Sequence, residues 1–508
     1  MPIDATKVES PGWWLQRLGK KMLDEREDSR PDCDGEITPG LNTLRRYAEG
    51  SAPLPHVPGV DPREVAEWMK DARTNWTSLV IDSPTERMGV DGFRFGAAKG
   101  GKSAKAADED AQRIWQENQM DADSDLVHYG ALSQRRAFVL VEKGEDGRPV
   151  LTHETPYQVA VEYEPGNRRK IRAGLKMRRD DWTGGTVATL WTPEMNFGFT
   201  AKSGSPNFSG RTASLRQWDA LTLPNTPDGQ WVNELGSVPL VPFVNRRNRS
   251  LNGFAEHEDV LSIQNRINLS LINLIAAMKY GAFRQRWAVG LEVDEDPITG
   301  AQIQPFQLDI RSLWTTAESK DTAQFGEFAA TDLVPYVRAV EAAVQDLAAI
   351  SRTPPHYLIG AVVNVSGDAL KAAETGLISK VRDRQRTFGD SWESVMRLAF
   401  KVIGDEDKAK AYDAETLWRD PESRSISEMA DAAVKKASAG VPWRQRMEDM
   451  GYTPAQIDRM EIDRAADALN ATAAEDPQPA SLQAKRDAKN DTRAVIKRGD
   501  VDDVPDAA

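Results

Sequence analysis

One stretch of this chain carries a chemically specific spacing: GAAKGGKS, residues 96–103. It satisfies G-x-x-x-x-G-K-S, a pattern in which backbone N–H groups wrap a phosphate. Lys102 would then reach the outer phosphates and Ser103 would join a magnesium ion. The motif follows a strand-like VDGFRF and precedes a helix. The wider context argues against nucleotide binding. VDGFRF alternates like a half-exposed strand, whereas this chemistry needs a strand of a buried parallel sheet. The helix starts about four residues late, so its dipole would not face the phosphate. No run of βα units follows. Gly96–Ser103 therefore reads as a loop, with a nucleotide-dependent DNA enzyme kept as the alternative.

A second group is basic. Lys380, Arg382, Arg384 and Arg386 lie on one expected helix, with Arg382 and Arg386 four residues apart on a shared face. They could touch a phosphate backbone or pair with carboxylates of a neighbouring copy. The second use is favoured, because a chain with a net charge of −13 needs internal compensation. Upstream, Val362, Val363, Asn364, Val365 and Ser366 make a short, largely apolar link between two helices. Trp392, beside Phe388 and Val395, fits packing better than base stacking.

The other reactive residue types form no set. Five histidines are scattered without ligand spacing, and Cys33 is the sole cysteine. It lies in an acidic run that disfavours a thiolate. No catalytic group, cofactor or metal is expected. At 508 residues, 40% apolar and 28% charged, the composition is that of an ordinary soluble chain with several structural units. Its longest apolar stretch is too short for a bilayer, and the first residues lack the pattern of a secretory leader. Net acidity disfavours a tight DNA clamp but suits a passage that must not grip its cargo.

The elements around these residues follow from periodicity. Residues 13–120 read mostly as helix, with helices expected over 63–88 and 107–120. Between 135 and 245 the period becomes strand-like, with turn clusters between runs, implying one antiparallel meander. Pro239 and Pro242 restrict its last run to an edge or an extended linker. Val260, Ile263, Ile267, Leu271, Leu274 and Met278 form a helical stripe over 255–280. After a short mixed unit comes a second stripe, Leu333, Val337, Val340, Val344 and Leu347, with Asp332 as its N-cap. The longest helix is expected over 368–403, capped by Ser366 and ended by Gly404. Its face of Leu377, Val381, Phe388 and Trp392, added to the two stripes, exceeds what one chain should cover. The class is α+β, mainly α.

Several segments, in order, resemble the portal proteins of long-tailed double-stranded-DNA bacteriophages. These are RTNWTSLVIDSPTERMGVDGFR, DEDAQRIWQENQMDADS, VPLVPFVNRRNRS, FRQRWAVG and SRTPPHYLIGAVVNVSGDALKAAETGLISKVRDRQRTFGDSWESVMRLA. Together they cover about Trp13 to Tyr452. The chain departs from that family at Tyr47-Ala48-Glu49-Gly50, where relatives often carry paired aromatics. The resemblance implies the portal fold: a wing of helices and antiparallel strands (1–254), a stem helix (255–280), a small α/β clip (281–330) and a second stem helix (331–350). A channel loop (351–366), a long wing helix (367–403) and a helical crown (404–470) would follow; the last stretch (471–508) has few large apolar groups, and its composition predicts a disordered tail. The resemblance also implies a non-enzymatic ring of about twelve subunits at one capsid vertex of the virion, assembled in the host cytoplasm. The ring would conduct double-stranded DNA without reading sequence during packaging and ejection. Its partners would be the terminase large subunit, the major capsid and scaffolding proteins and the head–tail adaptor. Val362–Ser366 would face the channel.

Overall fold

The structure is a computed structural model that describes residues 5–31, 37–53, 62–95, 108–201, 208, 217–222, 226, 228–247, 252–282, 286–290, 297–298, 324–327, 329, 331–359, 367–422, 426–452 and 454–475. These fall into two compact units, divided between Ser423 and Arg424.

Helix α1 (Pro11–Arg26) starts at Ser10, whose hydroxyl accepts from the Trp13 N–H. It buries Trp14, Leu15, Leu18 and Met22. Strands β1 (Ser29–Pro31) and β2 (Ile37–Pro39) pair antiparallel, and α2 (Leu41–Ala48) follows. The helix expected over 63–88 is in fact two, α3 (Pro62–Asp71) and α4 (Trp76–Thr85). The break has a tertiary cause: Asn268 and Gln264 accept from the Thr74 and Trp76 N–H groups, while Asn75 caps the new start. Strand β3 (Val90–Arg94) leads towards α5 (Glu109–Glu117), which ends where Gln119 takes a positive φ of 55°. Helix α6 (Met120–Ser133), unassigned from sequence, then continues the chain.

Among the described residues nine strands follow: β4 (Arg136–Lys143), β5 (Pro149–Glu154), β6 (Val159–Glu164), β7 (Asn167–Arg179), β8 (Thr186–Trp191), β9 (Met195–Ala201), β10 (Trp218–Ala220), β11 (Gln230–Val232) and β12 (Leu240–Val244). The expected meander is real for β6 to β10, with β11 also pairing β9. Strand β4 departs from it and sits in the middle of a separate sheet ordered β12-β4-β5. Every residue from Arg136 to Val141 is buried, so β4 needs cover on both faces, which one layer cannot provide. Of the two expected outcomes, β12 takes the edge, a place that tolerates Pro242 within it.

A single 3-10 turn, Glu258–Val260, opens α7 (Leu261–Ala282). Strands β13 (Arg286–Val289) and β14 (Gln324–Glu327) pair antiparallel, and α8 (Val334–Ser351) returns to pack on α7. The cap of α8 is Leu333; Asp332 accepts instead from the Val334 N–H at 3.0 Å, one position outside the cap expected for it. After α9 (Pro355–Ile359) comes α10 (Gly367–Ile403), 37 residues and about 55 Å long. Gly404 ends it at φ +89°, as expected, whereas its proposed cap, Ser366, lies outside the described residues. The apolar face of α10 is covered by its own chain, contrary to expectation. Leu377, Val381, Phe388, Trp392 and Val395 are fully buried against α6, β4 and β12. Helix α11 (Glu406–Ala409) and β15 (Glu415–Trp418) close the first unit, β15 pairing back with β3.

In the second unit, α12 (Ile426–Ser438), α13 (Trp443–Asp449) and α14 (Pro454–Glu475) form a small helical array. Arg444 bridges Asp458 and Glu461, and Ile457 is fully buried. Helix α14 runs five residues into the stretch expected to be disordered.

Candidate functional site

The phosphate-loop pattern Gly96–Ser103 lies outside the described residues, but its two flanks lie within them. Strand β3 belongs to a two-stranded antiparallel ribbon. At the other flank the N-terminus of α5 is already occupied by an anion: the Asp108 carboxylate accepts from the Asp110 and Ala111 N–H groups. Lys408 then bridges Asp108 and Asp110, 2.8 Å from each. The donors that would receive a phosphate are spent, and the local field already holds two carboxylates. A backbone bond from Asp108 to the Phe93 carbonyl ties the two flanks together.

Polar groups converge elsewhere, where the paired helices α7 and α8 meet the rest of the first unit. Residues 253–260 (GFAEHEDV) place three carboxylates within four positions, and each is gripped from a different element. Glu256 receives Arg384 Nε at 2.7 Å and Lys380 Nζ at 3.7 Å, both from α10. Glu258 takes a bidentate bond from Arg135, at 3.0 and 2.5 Å. Asp259 pairs with Arg246 at 2.6 Å. Asn245 adds a bond to Glu256 at 3.1 Å, and the Glu256 N–H donates to the Leu132 carbonyl.

Lys380 does a second job here. Its ammonium donates to the Ser351 carbonyl, 3.0 Å away, at the last turn of α8. One buried lysine on the long helix thus braces the start of α7 and the end of α8 together. The backbone pays for this closeness locally. Arg135, Arg246 and Arg352 all hold positive φ, between 50° and 70°, an uncommon state outside glycine. Gly253 is needed for contact: at φ +74°, an added Cβ would meet the Asn245 and Arg135 carbonyl oxygens at 2.4 and 2.6 Å.

In this polar collar Arg135, Arg246, Lys380 and Arg384 face Glu256, Glu258 and Asp259, and Arg384 also meets Asp383 at 2.6 Å. Burial would push the Glu256 carboxyl up, but Lys380 and Arg384 outweigh it and hold the group below its usual range. Burial pushes the Lys380 ammonium down, Glu256 opposes this, and Arg384, Arg246 and Arg352 reinforce it. His257, between two of the carboxylates, is fully buried and pushed down to about 4 by burial. Its Nε2 lies 3.1 Å from the Leu44 carbonyl, so the neutral ring carries its proton there. Such a cluster can hold geometry; it presents no nucleophile, and among the described residues no group of histidine, cysteine or carboxylate side chains is placed to hold a metal ion.

The four basic residues singled out from sequence divide between two faces of α10. Lys380 and Arg384 enter the collar. Arg382 and Arg386 face outward, their side chains 55% and 80% exposed, with Arg382 near Asp420 and Glu422 and Arg386 on Asp383. Val362, Val363, Asn364, Val365 and Ser366 lie outside the described residues, between α9 and α10. Glu256, Glu258, Arg135, Arg246 and Asn245 were missed from sequence. The run of three acids just ahead of an apolar helix was the available signal. Trp392 is core, as expected: fully buried, with Nε1 donating to His128 Nε2 at 3.0 Å.

Helices α7 and α8 bury Val260, Ile263, Ile267, Val344 and Leu347 near the collar. Away from it, Met278 on α7 and Val334 and Val337 on α8 are 52%, 53% and 43% exposed. No helix of the described residues is long and apolar enough to cross a membrane.

A family model described as phage portal protein, SPP1 Gp6-like, matches residues 55–445. The portal protein of Mycobacterium phage D29 is 29% identical over 407 residues, covering 77% of this chain and 78% of that protein. The portal protein of Mycobacterium phage L5 is 28% identical over 417 residues, covering 78% and 79%.

Proposed function

The chain belongs to the phage portal protein family of the SPP1 Gp6-like type, a family of structural, non-enzymatic virion proteins, and from that premise we propose that it forms a ring at one capsid vertex. The ring, of about twelve copies, closes by head-to-tail contacts. It conducts duplex DNA during packaging and ejection, docks the terminase large subunit, and later seats the head–tail adaptor. Capsid and scaffolding proteins hold its periphery. The nucleotide-dependent enzyme is set aside.

In this reading residues 1–254 are the wing, 255–280 and 331–350 the stem, 281–330 the clip, 351–366 the channel loop, 367–403 the long wing helix and 404–470 the crown. Val362–Ser366 meet DNA by shape, with apolar and small polar groups that form no salt bridge to phosphate. Arg382 and Arg386 remain available to a DNA backbone or a neighbouring subunit, while Lys380 and Arg384 act as braces.

The observation that carries the ring is the outer half of the α7–α8 pair. Met278 and Val337 stay in water, with Val334 beside them, although their stripes are buried nearer the collar. Exposed apolar rows on paired helices mark an interface. Mass photometry and negative-stain imaging of the purified protein test it: rings are expected, and the double variant Met278→Glu, Val337→Glu should remain folded but single. A wild-type monomer at micromolar concentration and physiological salt would overturn the ring.

A further inference from the structure

Arg87, just past α4, makes contacts that the collar and the packing of α4 do not require. Its guanidinium donates to the Pro421 carbonyl at 2.8 Å, beyond the end of β15. It also donates to the Tyr357 hydroxyl on α9 and lies 3.4 Å from the Glu374 carboxylate on α10. Tyr357 in turn donates to Glu374 at 3.0 Å, closing a triangle. The His356 ring stands 3.9 Å from the same carboxylate. The Arg87 and Glu374 side chains are only 17% and 15% exposed, so water screens these bonds weakly. The main chain is held too: Gln385 donates to the Arg87 and Arg419 carbonyls, at 3.5 and 3.1 Å.

We propose that Arg87 is a positioning residue that sets α9 against the opening turns of α10 and ties both to the exit of β15. Helix α9 has five residues, too few to hold itself in water. Its placement must come from tertiary contacts, among them Leu358 in the core, Tyr357 on Arg87 and Glu374, and His356 beside Glu374. A planar guanidinium can serve three acceptors at fixed angles, which a lysine cannot. Helices α9 and α10 flank residues 360–366, so Arg87 fixes both ends of that segment. The consequence for DNA passage rests on the channel-loop reading above; the mechanical coupling does not.

Hydrogen exchange on the purified full-length protein tests the coupling, whatever its state of assembly. In Arg87→Met, amides of α9, of the first turns of α10 and of residues 419–422 should all exchange faster, by about tenfold. Helices α7 and α8 should not change. Arg87→Lys should show the same three-part pattern, since it keeps the charge and loses the fork. Tyr357→Phe should loosen α9 alone. Faster exchange confined to the end of α4, or raised uniformly over the chain, would overturn the proposal. So would an Arg87→Lys protein indistinguishable from wild type.

Discussion

Two pairs of cations on one helix show how little a residue type says by itself. Lys380 and Arg384 stand four residues apart on α10, and Arg382 and Arg386 stand four apart beside them. Two residues along an α-helix turn the side chain by about 200°, so the pairs face opposite ways. The first pair is buried on Glu256 and the Ser351 carbonyl. The second sits in water near Asp383, Asp420 and Glu422. A buried pair is costly to break because the surviving charge has no solvent, whereas an exposed pair contributes at most about 1 kcal/mol. The inner pair therefore holds architecture, and the outer pair makes only water-exposed ion pairs.

The comparison breaks most visibly at Glu256. Glu256→Leu leaves Lys380 buried without its counter-ion and Arg384 with Asp383 alone, and should cost about 3–5 kcal/mol in urea unfolding. Adding Lys380→Met should recover a large part of that loss. If Glu256→Leu unfolds at the wild-type midpoint, the collar is not a brace.

Acid should sharpen the same contrast with a smaller effect. The folded His257 pKa, about 4, lies below its ordinary 6.5. The unfolded chain therefore binds the proton first as pH falls. The stability tied to the neutral ring is complete above 6.5 and is lost as pH falls towards 4, by about 1.4 kcal/mol per pH unit at most. Below 4.5, protonation of Glu256 should add to the loss, since its folded pKa is also depressed. His257→Gln keeps a donor for the Leu44 carbonyl and should flatten the upper part of the curve. Thermal melts between pH 7 and pH 4 measure both.

The smallest stability effect belongs to the outer pair. Arg382→Ala with Arg386→Ala should shift unfolding by less than about 1 kcal/mol. If these side chains touch DNA during transit, packaging in a reconstituted motor should become less salt-dependent, because each lost phosphate contact lowers the salt slope. An unchanged salt profile with altered ring assembly would instead assign them to the interface between subunits.

Periodicity made much of the fold legible. The stripes of α7, α8 and α10, the strands β6 to β8 and the proline-marked edge strand β12 all follow from local spacing, because amphipathic elements record which face they bury. The chemically tempting spacing at Gly96–Ser103 is discounted by its neighbours: an antiparallel ribbon strand before it and a helix after it whose first N–H groups already hold Asp108. The split of the meander was not legible: β4 and β6 look alike locally, and only the cover on both faces of β4 sends it to another sheet. The division of α3 from α4 was hidden for a similar reason, since the groups that accept from Thr74 and Trp76 lie nearly two hundred residues away.

The sequence by itself determined that Lys380 and Arg384 share one face of a helix and Arg382 and Arg386 another, because helical geometry is local. Only the tertiary structure decided which face is buried. That choice rests on Glu256, 128 residues before Arg384, and on a carbonyl at the end of α8, whose approach no local pattern encodes. A charge acquires its value from the solvent it loses, and that loss is a property of the packed chain.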